Sequence, residues 1–86
     1  MMQIKVKYFA LLREALGCDE ECVTVPETVK TVGDLKAWLT EKDDTHRAAF
    51  TSVKRIRAAV NGVMAQDAAA LSDGDETAYF PPVTGG

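Results

Sequence analysis

The sequence predicts an α+β fold, a mixed sheet with one main helix packed across one face. Three observations predict it. Strand-like segments open and close the chain at Met2–Phe9 and Glu76–Phe80, an amphipathic helix with a capping signal begins at Thr31, and Asn61-Gly62 stands between two short apolar runs. With 86 residues the chain holds one domain, and a domain of this size buries only roughly 60–65% of its unfolded surface. Each apolar side chain left exposed therefore forgoes stability that a small core can ill spare.

From Met2 to Phe9 the side chains alternate, with Met2, Ile4, Val6 and Tyr8 on one face and Gln3, Lys5, Lys7 and Phe9 on the other, a half-buried strand. Ala10–Leu16 consists of good helix formers and stops at Gly17. Glu21–Val25 is rich in β-branched residues and ends at Pro26, a second strand expected to return antiparallel to the first. Thr31 caps the main helix, with Asp34 at its third position and Val32, Leu35 and Leu39 at helical spacing. Asp43-Asp44 marks a loop, with one further turn expected at Ala48-Ala49-Phe50. Asn61-Gly62 makes a tight hairpin of Arg57–Val60 and Val63–Ala65. A turn at Leu71–Asp75 feeds the last strand, Glu76–Phe80, and Pro81-Pro82, which have no N–H to donate, end the pairing. This order points to a β-grasp arrangement, with the first and last strands side by side and parallel at the centre of the sheet.

The charges exclude some functions. Ten basic against thirteen acidic residues give a net charge of −3, the wrong sign for gripping a phosphate backbone, so no nucleic-acid partner is expected. No apolar run approaches the roughly 20 residues that span a bilayer, and the first residues lack a signal-peptide pattern, so the expectation is a cytoplasmic protein without a membrane partner. Cys18 and Cys22 supply only half the ligands of a structural zinc site and have no histidine near them. No metal site is expected, and ordinary thiols at a turn and in a strand are favoured over a redox pair. Asp73-Gly74-Asp75-Glu76 lacks the alternating ligands of a calcium loop and reads as a solvated turn. His46, in a polar stretch without a nucleophile or second histidine, reads as a surface residue.

What remains is the end of the chain. Gly85-Gly86 presents no Cβ on either residue, so an extended backbone ending in a carboxylate can enter a channel too narrow for other residues; a frayed terminus is the plainer reading of the same pair. On the last strand Ala78 and Phe80 share one face and Thr77 and Tyr79 the other, so both faces carry an aromatic ring. If the first and last strands are neighbours, Phe9 and Phe80 form an apolar patch beside the tail; burial of both under loops is the competing reading.

The runs DGDETAYFPPVTGG, KVKYFALLREALG and AAVNG resemble, over nearly the whole chain, the family of small subunits of molybdopterin synthase, which are ubiquitin-like sulfur carriers. The resemblance implies a β-grasp domain over residues 1–80 and a flexible tail over 81–86. It implies that a ubiquitin-activating-type adenylyltransferase uses ATP to adenylate the Gly86 carboxylate, that a sulfur donor enzyme converts it to a thiocarboxylate, and that the carrier binds no cofactor of its own. The large subunit of the synthase, in a heterotetramer, would then receive the tail and pass sulfur to cyclic pyranopterin monophosphate, with catalytic side chains on that subunit. Residue by residue, Gly86 carries over as the reacting terminus, Pro81, Pro82, Val83, Thr84 and Gly85 as the threaded tail, and Phe9, Met64 and Phe80 as the docking patch. Thr77 departs from the apolar residue usual in the last strand. A carrier for thiamin, cysteine or tRNA thiolation, or a ubiquitin-like protein modifier, would share the tail chemistry.

Overall fold

A computed structural model describes residues 1–82 of the chain. Along it run β1 (Met2–Tyr8), α1 (Ala10–Leu16), β2 (Glu20–Val25), α2 (Val32–Thr40), α3 (Asp44–Ser52), β3 (Arg57–Val60), β4 (Val63–Ala65) and β5 (Glu76–Phe80). The strands form one five-stranded sheet in the order β2-β1-β5-β3-β4. β5 runs parallel to β1, pairing Val6 with Thr77 and Tyr8 with Tyr79, and antiparallel to β3, pairing Arg57 with Phe80. The architecture is the β-grasp, with its first and last strands adjacent as the element order predicts.

Local chemistry sets the ends of these elements. Gly17 stops α1 at φ 75°, a left-handed conformation that costs glycine nothing. Thr31 and Asp34 close a reciprocal capping box at the start of α2: the Thr31 hydroxyl accepts from the Asp34 N–H, and the Asp34 carboxylate accepts from the Thr31 N–H. Asn61 and Gly62 both have positive φ, the turn that matches the twist of a two-residue hairpin.

The inner face of the sheet carries Ile4, Val6, Tyr8, Ala58 and Tyr79 against Leu12 of α1, Val32, Leu35 and Leu39 of α2, and Phe50 of α3. Phe50 sits edge-on to Tyr8 and to Tyr79, with ring centroids 6.1 and 5.6 Å away, a geometry that puts positive ring edges against negative faces. The Tyr79 hydroxyl donates to the Val32 carbonyl at 2.8 Å and ties β5 to the start of α2.

Two expectations need correcting. Asp43-Asp44 is no loop, and Ala48–Phe50 is more than a turn: the segment is the nine-residue helix α3. Asp43 is its N-cap, accepting from the His46 N–H at 2.8 Å, so residues that read as solvated loop charges are a helix start. Nor is His46 a surface residue, since it is 7% exposed. Its Nδ1 lies 2.8 Å from Asp43 Oδ1 and its Nε2 2.7 Å from Glu21 Oε2. Glu21 Oε2 also accepts from the Tyr8 hydroxyl at 2.8 Å, and Lys42 Nζ stands 3.8 Å from Glu21 Oε1. Helix α3 is thereby fastened through polar groups to β1 and β2.

Burial draws the Glu21 carboxyl upward, but hydrogen bonds from His46 and Tyr8 and the charges of His46 and Lys42 outweigh it and leave the group below its ordinary value. A carboxyl that binds its proton less tightly when folded adds stability that is complete above the usual glutamate range and lost as pH falls through the lower, folded value. Glu21→Gln should therefore flatten the decline of folding stability between about pH 5 and pH 3. Urea titrations of both proteins across that range check it; parallel pH profiles would contradict it.

Thr77 is fully buried between Val6 and Val60 in the sheet, and its hydroxyl finds no partner among the described residues. An unsatisfied buried hydroxyl costs free energy that an isosteric methyl does not. Thr77→Val should raise stability by about 1 kcal/mol in denaturant unfolding, and an unchanged or lower midpoint would contradict this account.

Candidate functional site

The helices cover one face of the sheet and leave the other open. Pleating and register decide what the open face presents. Lys5 stands opposite Cys22 and Glu76. One row further along, Lys7, Ala78, Ala59 and Met64 follow one another across β1, β5, β3 and β4. Beyond that row comes Phe80 opposite Arg57. Ion pairs fix the polar part of the face, with Lys5 Nζ 3.2 Å from Glu20 and Lys7 Nζ 3.6 Å from Glu76. Among the described residues nothing covers the apolar part.

Phe9 lies just past the end of β1 as the N-cap of α1. Its N–H donates to the Tyr79 carbonyl at 3.3 Å, which holds it beside the end of β5. Ala10, which follows, has φ 53°, a left-handed conformation that costs an alanine about 1 kcal/mol; the chain turns sharply here from strand into helix. Phe9 is 45% exposed, and Phe80 is half-buried at the same end of the sheet. Met64, 58% exposed, stands on β4, two strands from β5 and roughly 10 Å away at ordinary strand spacing. The small side chains of Ala59 and Ala78 lie between. The fold thus groups Phe9 with Phe80 and sets Met64 at the far edge of the same face.

Pro81 and Pro82 follow Phe80 outside any strand, as their missing N–H groups require. The other sequence-derived tail residues, Val83, Thr84, Gly85 and Gly86, lie outside the described residues. Leu11, two residues past Phe9 and not among the residues expected at the site, is 59% exposed. A signal for it was present: a single short helix packed on one side cannot bury both Leu11 and Leu12, and the core takes Leu12.

The cysteines stay ordinary. Both are free thiols, and burial together with the nearby Glu21 and Asp19 carboxylates pushes the Cys18 thiol up, away from the reactive thiolate. Among the described residues no group of three or more His, Cys, Asp and Glu could hold a metal ion, and no helix is long and apolar enough to cross a membrane.

The pattern of the ThiS family matches residues 6–86. The chain belongs to the ThiS family. Within it, this ThiS-family chain is 40% identical to the molybdopterin synthase sulfur carrier subunit of Escherichia coli strain K12 over 83 residues, covering 96% of this chain and 99% of that one. It is also 40% identical to the molybdopterin synthase sulfur carrier subunit of Chlamydomonas reinhardtii over 87 residues, covering 99% and 100%. Among solved structures it resembles small archaeal modifier protein 1 of Haloferax volcanii, with a TM-score of 0.79 and 32% identity over 96% of this chain and 100% of that one.

Proposed function

We propose that this ThiS-family chain is the sulfur-carrier subunit of a molybdopterin synthase. The observation that carries the reading is its 40% identity, over nearly its full length, to sulfur carrier subunits from a bacterium and an alga. The open face supports it, since uncovered apolar groups beside the start of the tail suit a protein that presents its terminus to partners.

In this reading the Gly86 carboxylate attacks the α-phosphorus of ATP on an adenylyltransferase, pyrophosphate leaves, and the acyl-adenylate forms. A sulfur donor then displaces AMP and leaves a thiocarboxylate. Adenylation converts a poor leaving oxygen into a good one, and the sulfur installed is a polarizable nucleophile. Phe9, Phe80 and Met64 dock on the large subunit while Pro81 to Gly86 thread its channel, where bare glycine backbone fits. Sulfur passes to cyclic pyranopterin monophosphate, and water supplies the oxygen that returns the terminus to a carboxylate. Residues 1–80 act as the folded body and 81–86 as the working tail.

The test is product formation by the sulfur-loaded chain with the large subunit and the precursor. The account expects the dithiolene product and stoichiometric return of the carboxylate form. Loaded chain that yields no product, under conditions where the Escherichia coli carrier does, would contradict it. A second reading, a protein modifier, rests on the likeness to the archaeal modifier protein. The same acyl-adenylate would then acylate a lysine, and conjugates of higher mass on other proteins would mark it.

A further inference from the structure

An open groove of about 320 Å³ lies on the helical side of the sheet, between α2 and the link from α3 to β3. Ala37, Phe50, Val53 and Ile56 give it an apolar lining, with the cations Lys36 and Arg55 among them. Ala37 is exposed and Val53 and Ile56 are half-buried, so the lining is open to a visitor. The charge around it is one-sided. Lys36 Nζ has a carboxylate, Asp67 Oδ1, at 3.6 Å, but Arg55 and its neighbour Lys54 make no ion pair among the described residues, and both are exposed. Arg57 belongs to the other face, opposite Phe80. In a chain of net charge −3, the groove is a local reversal of sign that draws acidic groups.

Shape and charge narrow the occupant. Small-molecule sites enclose most of their ligand's surface, whereas an open groove suits a side chain projecting from a larger body. Two or three cations are too few to grip a nucleic-acid backbone. A second copy of the chain brings the same net negative charge, and its acidic groups Glu21 and Asp43 are already engaged by His46 and Lys42. Arg55, by contrast, offers a planar fork of donors that matches a carboxylate.

We propose that this groove is a docking site for an acidic segment of a separate partner protein. One aromatic or aliphatic side chain of that segment packs against Ala37, Val53 and Ile56, and a neighbouring carboxylate pairs with the Arg55 guanidinium. The contact stands on the groove alone. One consequence rests on the docking face proposed above: groove and face lie on opposite sides of the sheet, so this partner and the large subunit bind together.

Amide NMR of the full chain, titrated with the capped peptide Glu-Asp-Phe-Glu-Asp, tests the contact. Saturable shifts at Ala37, Val53 and Ile56 are expected, with a Kd on the order of 1 mM. Arg55 has φ 57°, a backbone that glycine adopts without strain, so Arg55→Gly should keep the fold and weaken binding roughly tenfold or more. Ala37→Glu, at an exposed helix position, should do the same by placing like charge beside the peptide. Absence of saturable groove shifts would overturn the proposal. So would equal affinity for Glu-Asp-Ala-Glu-Asp, which would leave charge without a groove, or the same shifts with succinate, which would make it a small-anion site. Groove shifts that grow with protein concentration and no peptide would assign it to a second copy instead. Saturating large subunit should leave the peptide shifts in place; their loss would put that subunit in the groove and overturn the separate partner. A large subunit that does not bind the chain at all counts against the carrier reading, while the peptide titration still decides the groove.

Discussion

Adding one residue after Gly86 should abolish sulfur transfer and leave the melting temperature where it was. In the proposed reading the folded body ends at Phe80, and among the described residues Tyr79 is the last fully buried residue of β5. On that reading an appended residue is expected to remove no packing. For the chemistry the same change moves the carboxyl carbon out of line with the nucleotide, and misplacement by about 1 Å already costs on the order of 100-fold in rate. Deletion of Gly86 should do the same. Gly85→Val should fall between, retaining docking and slowing adenylation, because a β-branched side chain must enter a channel sized for bare backbone. ATP–pyrophosphate exchange and product formation on the three variants, with thermal melts as the control, check the set. An extended variant that turns over at the parental rate would show that the Gly86 carboxylate is not the group that bears sulfur.

Phe80→Asp should weaken binding to the large subunit by roughly 30-fold or more, an effect of about 2 kcal/mol, as for an aromatic anchor near the centre of an interface. The folded state should lose far less. Phe80 projects from the open face opposite Arg57, while the ring that fills the core from this strand is its neighbour Tyr79, fully buried, edge-on to Phe50 and hydrogen-bonded to Val32. The main cost to folding is an acidic residue in a strand, about 1 kcal/mol. Titration calorimetry with the large subunit and thermal melting separate the two effects. A collapsed melting temperature with normal binding by the remaining folded protein would make Phe80 a core residue and remove it from the docking face.

The fold was legible wherever neighbours in sequence supplied the signal. Alternation exposes β1, Thr31 with Asp34 announces α2, and Asn61-Gly62 announces the hairpin, because each depends on residues within a turn or two of one another. Helix α3 was hidden for the opposite reason. Its cap, Asp43, looks like a loop charge, and its buried residues His46, Ala49 and Phe50 make a short stripe in which the histidine seems misplaced. Only the tertiary fold brings Glu21 to that histidine from 25 residues away. Phe9 and Phe80 could be singled out as unusual, but their grouping needed the parallel β1–β5 pairing, which no local pattern dictates. Met64 shares that face through two further strand pairings, and Leu11 was overlooked because a good helix former on a short helix draws no notice until its neighbour Leu12 takes the core.

The central claim is that the last carboxylate of this chain is a reactive group. The most direct measurement is the intact mass of the protein after incubation with the adenylyltransferase, ATP and a sulfur donor, followed by fragmentation to locate any change. The account predicts a gain equal to replacement of one oxygen by sulfur, confined to Gly86 and dependent on ATP. An unchanged mass with an active adenylyltransferase, or a sulfur gain that maps to Cys18 or Cys22, would contradict it.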